Sequence, residues 1–287
     1  MGRVIAAMED PNPQVAGQGL AALRAAGIAV DLGAMEEAAE SLNRGFVSRM
    51  TRLRPWLTLK LAMSLDGRTA MGSGESRWIS GEAARQDVHR LRAEAGAVMT
   101  GVETILADDP ELTVRMFPAV GAGHARDDRG HGPLQQGIVR QPDRIVLDTQ
   151  LRSPADARVW GPGARRIAVT VRPPADRMEA LRALGVEVAL VGTTGDSRVD
   201  LASALGTLGR MEINEVLVES GPRLAGALLA ARLVDELVLY VAPSLLGDEA
   251  RALAHLPGLK SLDQRIQLRY TDTRMVGSDL RITAVPA

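Results

Sequence analysis

Val218-Glu219-Ser220-Gly221-Pro222-Arg223-Leu224-Ala225-Gly226-Ala227-Leu228-Leu229 holds a strand end, a glycine turn and a helix start in one run. The stretch Glu215-Val216-Leu217-Val218 predicts an apolar strand feeding Gly221, and Pro222 opens an apolar helix. Proline suits a first helical turn because the N–H it lacks would have no intrahelical partner there. Glycine lets a ligand approach the backbone, and the free N–H groups and dipole of a helix start favour phosphate. Glu219 falls at the strand's carboxyl end, where open α/β sheets place their chemistry. A turn of this kind can equally be a plain connection, so the other segments decide.

Strand and helix signals alternate along the whole chain. Leu57, Leu59, Leu61 and Met63 alternate with Thr58, Lys60, Ala62 and Ser64, a period of two that predicts a strand with one buried face. Asp66-Gly67 reads as a tight turn, since both residues tolerate positive φ, and a small polar loop follows over 72–76. Ser80 is the expected cap of a helix reaching Ala95. That helix sets Ala84, Val88, Leu91 and Ala95 on one face and Arg85, His89 and Arg92 on another. Upstream, strands over 4–8 and 28–31 alternate with helices over 15–25 and 35–50. Pro55 marks a boundary at 52–55, because the residue before a proline is pushed out of the helical region. Downstream, strands are expected over 97–100, 144–147, 166–171, 186–191 and 236–241, with helices over 175–184 and 201–208. A hairpin from 266–274 to 279–285 closes the chain, and residues 116–142 read as a long surface insertion. The class is α/β, with a mixed rather than wholly parallel sheet.

Composition narrows the function. The 287 residues leave room for one or two domains with a full core. A net charge of −1 argues against a nucleic-acid binder. With three Trp, two Tyr and two Phe, the core must come from Leu, Val, Ile, Ala and Met. No basic-then-apolar leader stands before Glu9, and Arg232, Asp235 and Glu236 break the apolar stretch 224–245. A soluble cytoplasmic protein is therefore expected. The absence of cysteine excludes thiolate metal sites, and His89, His124, His131 and His255 show no ligand spacing, so no metal is expected.

Lys60-Leu61-Ala62-Met63-Ser64-Leu65-Asp66-Gly67-Arg68-Thr69-Ala70, followed by Ser73-Gly74-Glu75-Ser76 and Trp78-Ile79, resembles the reductase domain of the bifunctional riboflavin-biosynthesis deaminase/reductase family. Leu106-Ala107-Asp108-Asp109-Pro110-Glu111-Leu112-Thr113-Val114-Arg115 and the turn from Glu219 to Ala227 come in the family's order. The resemblance implies a dihydrofolate-reductase-like mixed sheet flanked by helices over residues 51–287. Residues 1–50 are similar to the tail of the family's deaminase, a short α/β remnant of a cytidine-deaminase-like domain. The zinc signature of such deaminases, His-x-Glu with Pro-Cys-x-x-Cys, is missing from this sequence, so deaminase activity is not expected.

The reaction implied by the resemblance is reduction, by NADPH, of the ribosyl group of 5-amino-6-(5-phosphoribosylamino)uracil to a ribityl group, in a homodimer. Ser76, Arg92, Leu112, Arg115 and Glu219 match the family's substrate positions. Arginine suits the phosphate because its planar fork offers paired donors, and Leu112 would pack against the base or sugar. Ala62, Trp78, Thr104, Asp108 and Thr149 match cofactor positions, as does the run Gly221, Pro222, Arg223, Leu224, Ala225, Gly226 and Ala227. Arg172 is the candidate cation for a 2′-phosphate. For proton chemistry, Glu219 or Asp108 would act as an acid with a raised pKa, while Lys60 would stabilise developing charge. An ordinary salt bridge is the plain alternative for each. Two rival readings stand beside this one: a dihydrofolate- or pterin-type reductase with another substrate, and a non-catalytic partner of a separate deaminase.

Overall fold

The computed structural model describes residues 2–115 and 140–287. The chain opens on a small unit: β1 (Arg3–Ala6), α1 (Gln18–Ala25), β2 (Ala29–Leu32) and α2 (Glu36–Leu42). β1 and β2 pair in parallel, and neither helix buries a residue fully. The single helix expected over 35–50 is two, because α2 stops at Asn43 and α3 (Arg44–Arg52) restarts from it. α3 is already tied to distant parts of the chain. Arg44 bridges Glu215 and Glu236, and Arg49 donates to Asn214.

Beyond Pro55 come β3 (Trp56–Ser64), β4 (Arg68–Ala70), α4 (Glu82–Glu94), β5 (Ala97–Gly101), α5 (Val102–Asp108) and β6 (Asp143–Leu147). Next are β7 (Arg166–Thr170), α6 (Ala175–Ala183), β8 (Glu187–Leu190), α7 (Leu201–Arg210), β9 (Glu215–Glu219) and α8 (Pro222–Ala230). The last elements are β10 (Glu236–Ala242), β11 (Arg251–Ala252), β12 (Leu268–Val276) and β13 (Asp279–Pro286). Among the described residues, one large sheet has the order β12-β13-β10-β3-β9-β5-β6-β7-β8. Every pair from β10 to β8 is parallel, while β13 joins β10, and β12 joins β13, antiparallel. The expected mixed α/β sheet forms, and the closing hairpin is its antiparallel edge.

Helices cover both faces. On one, Leu57, Leu59 and Leu61 pack with Val216 and Val218 against Leu205 and Leu208 of α7 and Ala225 and Leu228 of α8. On the other, Val98, Val146 and Leu217 meet Leu91 of α4 and Leu181 of α6, while Ala62, Val238 and Tyr240 meet Ala84 and Val88. Each large apolar side chain buried in this way contributes about 1.5–3 kcal/mol relative to exposure.

The polar face expected on β3 is therefore not a solvent face. It lies under α4, because a parallel sheet is covered on both sides, and this is what buries Lys60. Ser80 does not cap α4: Gly81 is the N-cap, and the Asp279 carboxylate of β13 accepts its N–H at 2.8 Å. A carboxylate is favoured there by the helix dipole. α5 has no counterpart among the expected helices, being a short stretch that exposes apolar Leu106 and Ala107 beside Glu103 and Asp108. Residues 116–139 of the expected insertion, with His124 and His131, lie outside the described residues. No helix among the described residues is long and apolar enough to cross a membrane.

Candidate active site

β3 leads by way of α4 to β5 on one side of it, whereas β9 leads through α8 to β10 on the other. The chain thus leaves β3 and β9 in opposite directions, and the carboxyl ends of such strands open the crevice where α/β sheets bind ligands. Lys60 and Glu219 are direct register partners there. Lys60 Nζ lies 3.9 Å from Glu219 Oε2. α4 brings Arg92 onto the same carboxylate, Nε donating to Oε1 at 2.5 Å and Nη2 to Oε2 at 3.0 Å. Its Nη1 donates to the Thr113 carbonyl at 2.9 Å. All three side chains are at most 16% exposed.

Burial alone would raise the Glu219 carboxyl, but Arg92 and then Lys60 outweigh it and hold the pKa at about 2. The raised pKa expected from the sequence is thus corrected. Two neighbouring cations, which no local spacing reveals, keep Glu219 ionised and make it an acceptor rather than a proton donor. Burial lowers the Lys60 ammonium below its ordinary value; Glu219 pulls it back only in part, and Arg92 pushes it further down. Of the cluster, Lys60 is the group best able to release a proton.

The start of α8 supplies donors. Gly221 is its N-cap and no side chain caps it, so the first N–H groups lack intrahelical partners. A Cβ at Gly221 would meet nothing within 4 Å. Beside it the buried Ser220 hydroxyl has no partner among the described residues, and neither has that of Thr100 at the end of neighbouring β5. The free backbone donors of the helix start, beside the open space at Gly221, suit an anionic group such as a phosphate. The later residues of the run serve packing instead. Ala225 is fully buried, and a Cβ at Gly226 would lie 2.0 Å from the His255 carbonyl oxygen. Leu224 packs toward Gly101, the Pro222 carbonyl accepts from His255 N–H, and Arg223 and Ala227 are exposed.

The remaining expected residues spread around this centre. Ala62 follows Lys60 on the same face of β3, opposite Tyr240. Thr149 lies just past β6, its carbonyl accepting from the Thr170 hydroxyl and Val171 N–H. Thr104 stands in the first turn of α5, and Ser76 is half-buried in the loop before α4. Trp78 is a surface ring, 71% exposed, with the Arg85 guanidinium 4.5 Å from its centre. Asp108 pairs with Arg77 rather than with the cluster, at 3.8 Å. Arg115 is exposed and pairs with Glu111 at 3.3 Å, and Arg172 is exposed just beyond β7. Leu112 is a correction. At φ 54° its side chain turns into the core among Val98, Ile105 and Val146 and is 2% exposed, which leaves no surface for a base or sugar.

Three contributors escaped the sequence reading. Ser220 sits inside the opening motif and could have been found as a hydroxyl at a strand end. Thr100 gave only a strand signal. Tyr240 gave none, being one more apolar position in β10. Its hydroxyl donates to Asp87 at 2.6 Å, Arg281 braces Asp87 at 2.9 Å, and its ring centre lies 5.9 Å from Lys60 Nζ.

A parallel sheet edged by an antiparallel hairpin, with a buried Lys–Glu–Arg cluster beside an uncapped helix start, defines a mixed α/β protein with a charged crevice at its strand switch point. The chain belongs to the RibD C-terminal domain family, whose signature spans residues 55–282. It is 45% identical over 286 residues to the riboflavin biosynthesis protein RibD of Escherichia coli (strain K12), covering 99% of this chain and 74% of that one. Its structure is similar to form 2 of Acinetobacter baumannii RibD, with a TM-score of 0.82 at 37% identity, covering 99% of this chain and 73% of that one. A Thermotoga maritima diaminohydroxyphosphoribosylaminopyrimidine deaminase/5-amino-6-(5-phosphoribosylamino)uracil reductase is also similar, with a TM-score of 0.77 at 27% identity, covering 100% and 72% of the two chains. The expected reductase-domain fold is borne out.

Proposed function

We propose that this chain is an NADPH-dependent reductase of riboflavin biosynthesis that converts the ribosyl group of 5-amino-6-(5-phosphoribosylamino)uracil to a ribityl group. The observation that carries the reading is the buried Lys60–Glu219–Arg92 cluster at the crevice between β3 and β9, next to the uncapped start of α8. The names of its relatives, one of them a reductase of this uracil, support the same chemistry. When bound, NADPH supplies the hydride that reduces C1′ of the ring-opened sugar imine.

The chain's own residues do the rest. Lys60, its ammonium destabilised by burial, gives a proton to the amine nitrogen as C1′ is reduced. Ionised Glu219 orients Lys60 and Arg92 and accepts from the substrate's polar hydrogens. Arg92, Arg115 and Ser76 hold the substrate phosphate. Ala62, Trp78, Thr104, Asp108, Thr149 and the first turn of α8 hold the cofactor, where the smallness of Ala62 leaves room for a flat ring. Residues 1–50 belong to a deaminase-like unit, residues 51–287 are the reductase, and two copies pair.

NADPH oxidation, followed at the nicotinamide absorbance, tests this with the deaminated phosphoribosylaminouracil and its undeaminated precursor. Oxidation with the deaminated compound and little with the precursor is expected. No oxidation with either, from folded protein, overturns the reading.

A further inference from the structure

We propose that His89 is a positioning residue for the substrate's phosphate grip, holding the backbone of Arg115 beside Arg92. The inference rests on the reductase reading and concerns which residues shape its anion subsite. Residues 113–115 form a strap with no regular secondary structure, and each is tied down by its backbone. The Thr113 carbonyl accepts from Arg92 Nη1 at 2.9 Å. Val114 is matched by the Gln141 side chain, which accepts its N–H at 2.8 Å and donates to its carbonyl at 3.0 Å. The Arg115 N–H donates to His89 Nδ1 at 3.2 Å. Thr113 and Arg115 are thus tied to side chains three residues apart on α4, and Arg92 is the very side chain that grips Glu219.

The histidine is suited to this task only while unprotonated at Nδ1, since a protonated ring has no acceptor. Its surroundings keep it so. It is buried against α4's own Arg92, the strap's Arg115 and β9's Glu219. Burial first, then the two arginines, lower its pKa against the opposing pull of Glu219 and of a hydrogen bond with the Thr113 backbone. The Arg115 side chain leaves the strap toward solvent, held among the described residues by half-buried Glu111 at 3.3 Å. Its direction is therefore set by its backbone more than by its own contacts. A backbone shift of a fraction of an ångström there separates the two guanidinium groups that must close on one phosphate.

The test compares His89→Leu, His89→Asn and His89→Gln with the wild type in NADPH oxidation. Asn carries an acceptor oxygen where histidine carries Nδ1, Leu carries none, and Gln carries its acceptor one bond further out. His89→Leu is expected to raise KM for the phosphorylated uracil substrate about tenfold, the loss of roughly one hydrogen bond and its geometry. The same variant leaves kcat and the KM for NADPH within about threefold of the wild type, a factor under 1 kcal/mol. His89→Asn restores the substrate KM. A KM unchanged in His89→Leu, or an Asn variant as impaired as the Leu variant, overturns the assignment. Should His89→Leu fail to fold, His89→Gln decides: a raised substrate KM supports the proposal and a wild-type KM overturns it. A wild type that oxidises no NADPH removes the reductase reading itself, a result distinct from all of these.

Discussion

At the amino ends of β3 and β10, the Asp235 carboxylate accepts from Arg52 Nη1 at 2.6 Å, from both Arg54 Nη atoms at 2.8 Å and from Leu57 N–H at 2.8 Å. Next to it, Arg44 joins Glu215 at 3.3 Å to Glu236 at 3.0 Å. Burial opposes that guanidinium's charge, yet the two glutamates raise its pKa. At the carboxyl ends of β3 and β9 the charges are more buried, at most 16% exposed against up to 40% at the amino ends, but less completely matched. Lys60 stands 3.9 Å from Glu219, its pKa is lowered, and the hydroxyls of Ser220 and Thr100 have no partner among the described residues. A saturated cluster has nothing left to offer a ligand and serves to dock α3 and the boundary segment onto the sheet. An unsaturated one, at a strand switch point, is built to be completed by something else.

The contrast can be broken from either end. Asp235→Ala leaves Arg54 and the Leu57 N–H buried without their acceptor, a loss of about 3–5 kcal/mol. The thermal midpoint should fall by roughly 10 °C, read by calorimetry, while protein still folded keeps its KM values. Glu219→Gln acts on chemistry instead, lowering turnover about 100-fold. It also sharpens the pH profile. Lys60 must be protonated to act, so turnover falls as pH rises through its lowered pKa. Because Glu219 holds that pKa up, its neutralisation moves the alkaline limb to lower pH. Glu219 itself, at about 2, sets no acid limb in the usual assay range.

Two glycines in one turn repeat the contrast on a smaller scale. Gly226→Ala drives a Cβ to 2.0 Å from the His255 carbonyl oxygen and should cost about 1–3 kcal/mol of stability by overpacking. At Gly221 an added Cβ meets nothing within 4 Å, so Gly221→Val is the contrasting change. It should lower the thermal midpoint less than Gly226→Ala does, by the weaker N-cap that valine makes, and weaken NADPH binding about tenfold, seen by titration, through obstruction of a helix-start phosphate site.

Much of the fold was legible because apolar period and turn chemistry are local. The alternation of Leu57, Leu59 and Leu61, the Asp66-Gly67 turn and the closing hairpin all appear where the pattern put them. What the pattern hid was long-range. The polar positions of β3 looked solvent-facing until α4 covered them. The Arg92–Glu219 pair spans 127 residues of sequence, and the two cations on Glu219 reversed the direction expected for its pKa. Leu112 matched a substrate position by motif, but its positive φ turned the side chain inward. Nothing in the spelling of the turn distinguishes Gly221, which faces open space, from Gly226, which faces another backbone.

The most direct test of the central claim is the turnover of Lys60→Met, measured beside its thermal midpoint. Methionine fills similar volume without a charge or proton, so kcat should fall about 100-fold or more with the fold intact. Turnover within twofold of the wild type would show that the unsaturated cluster is only another structural ion pair.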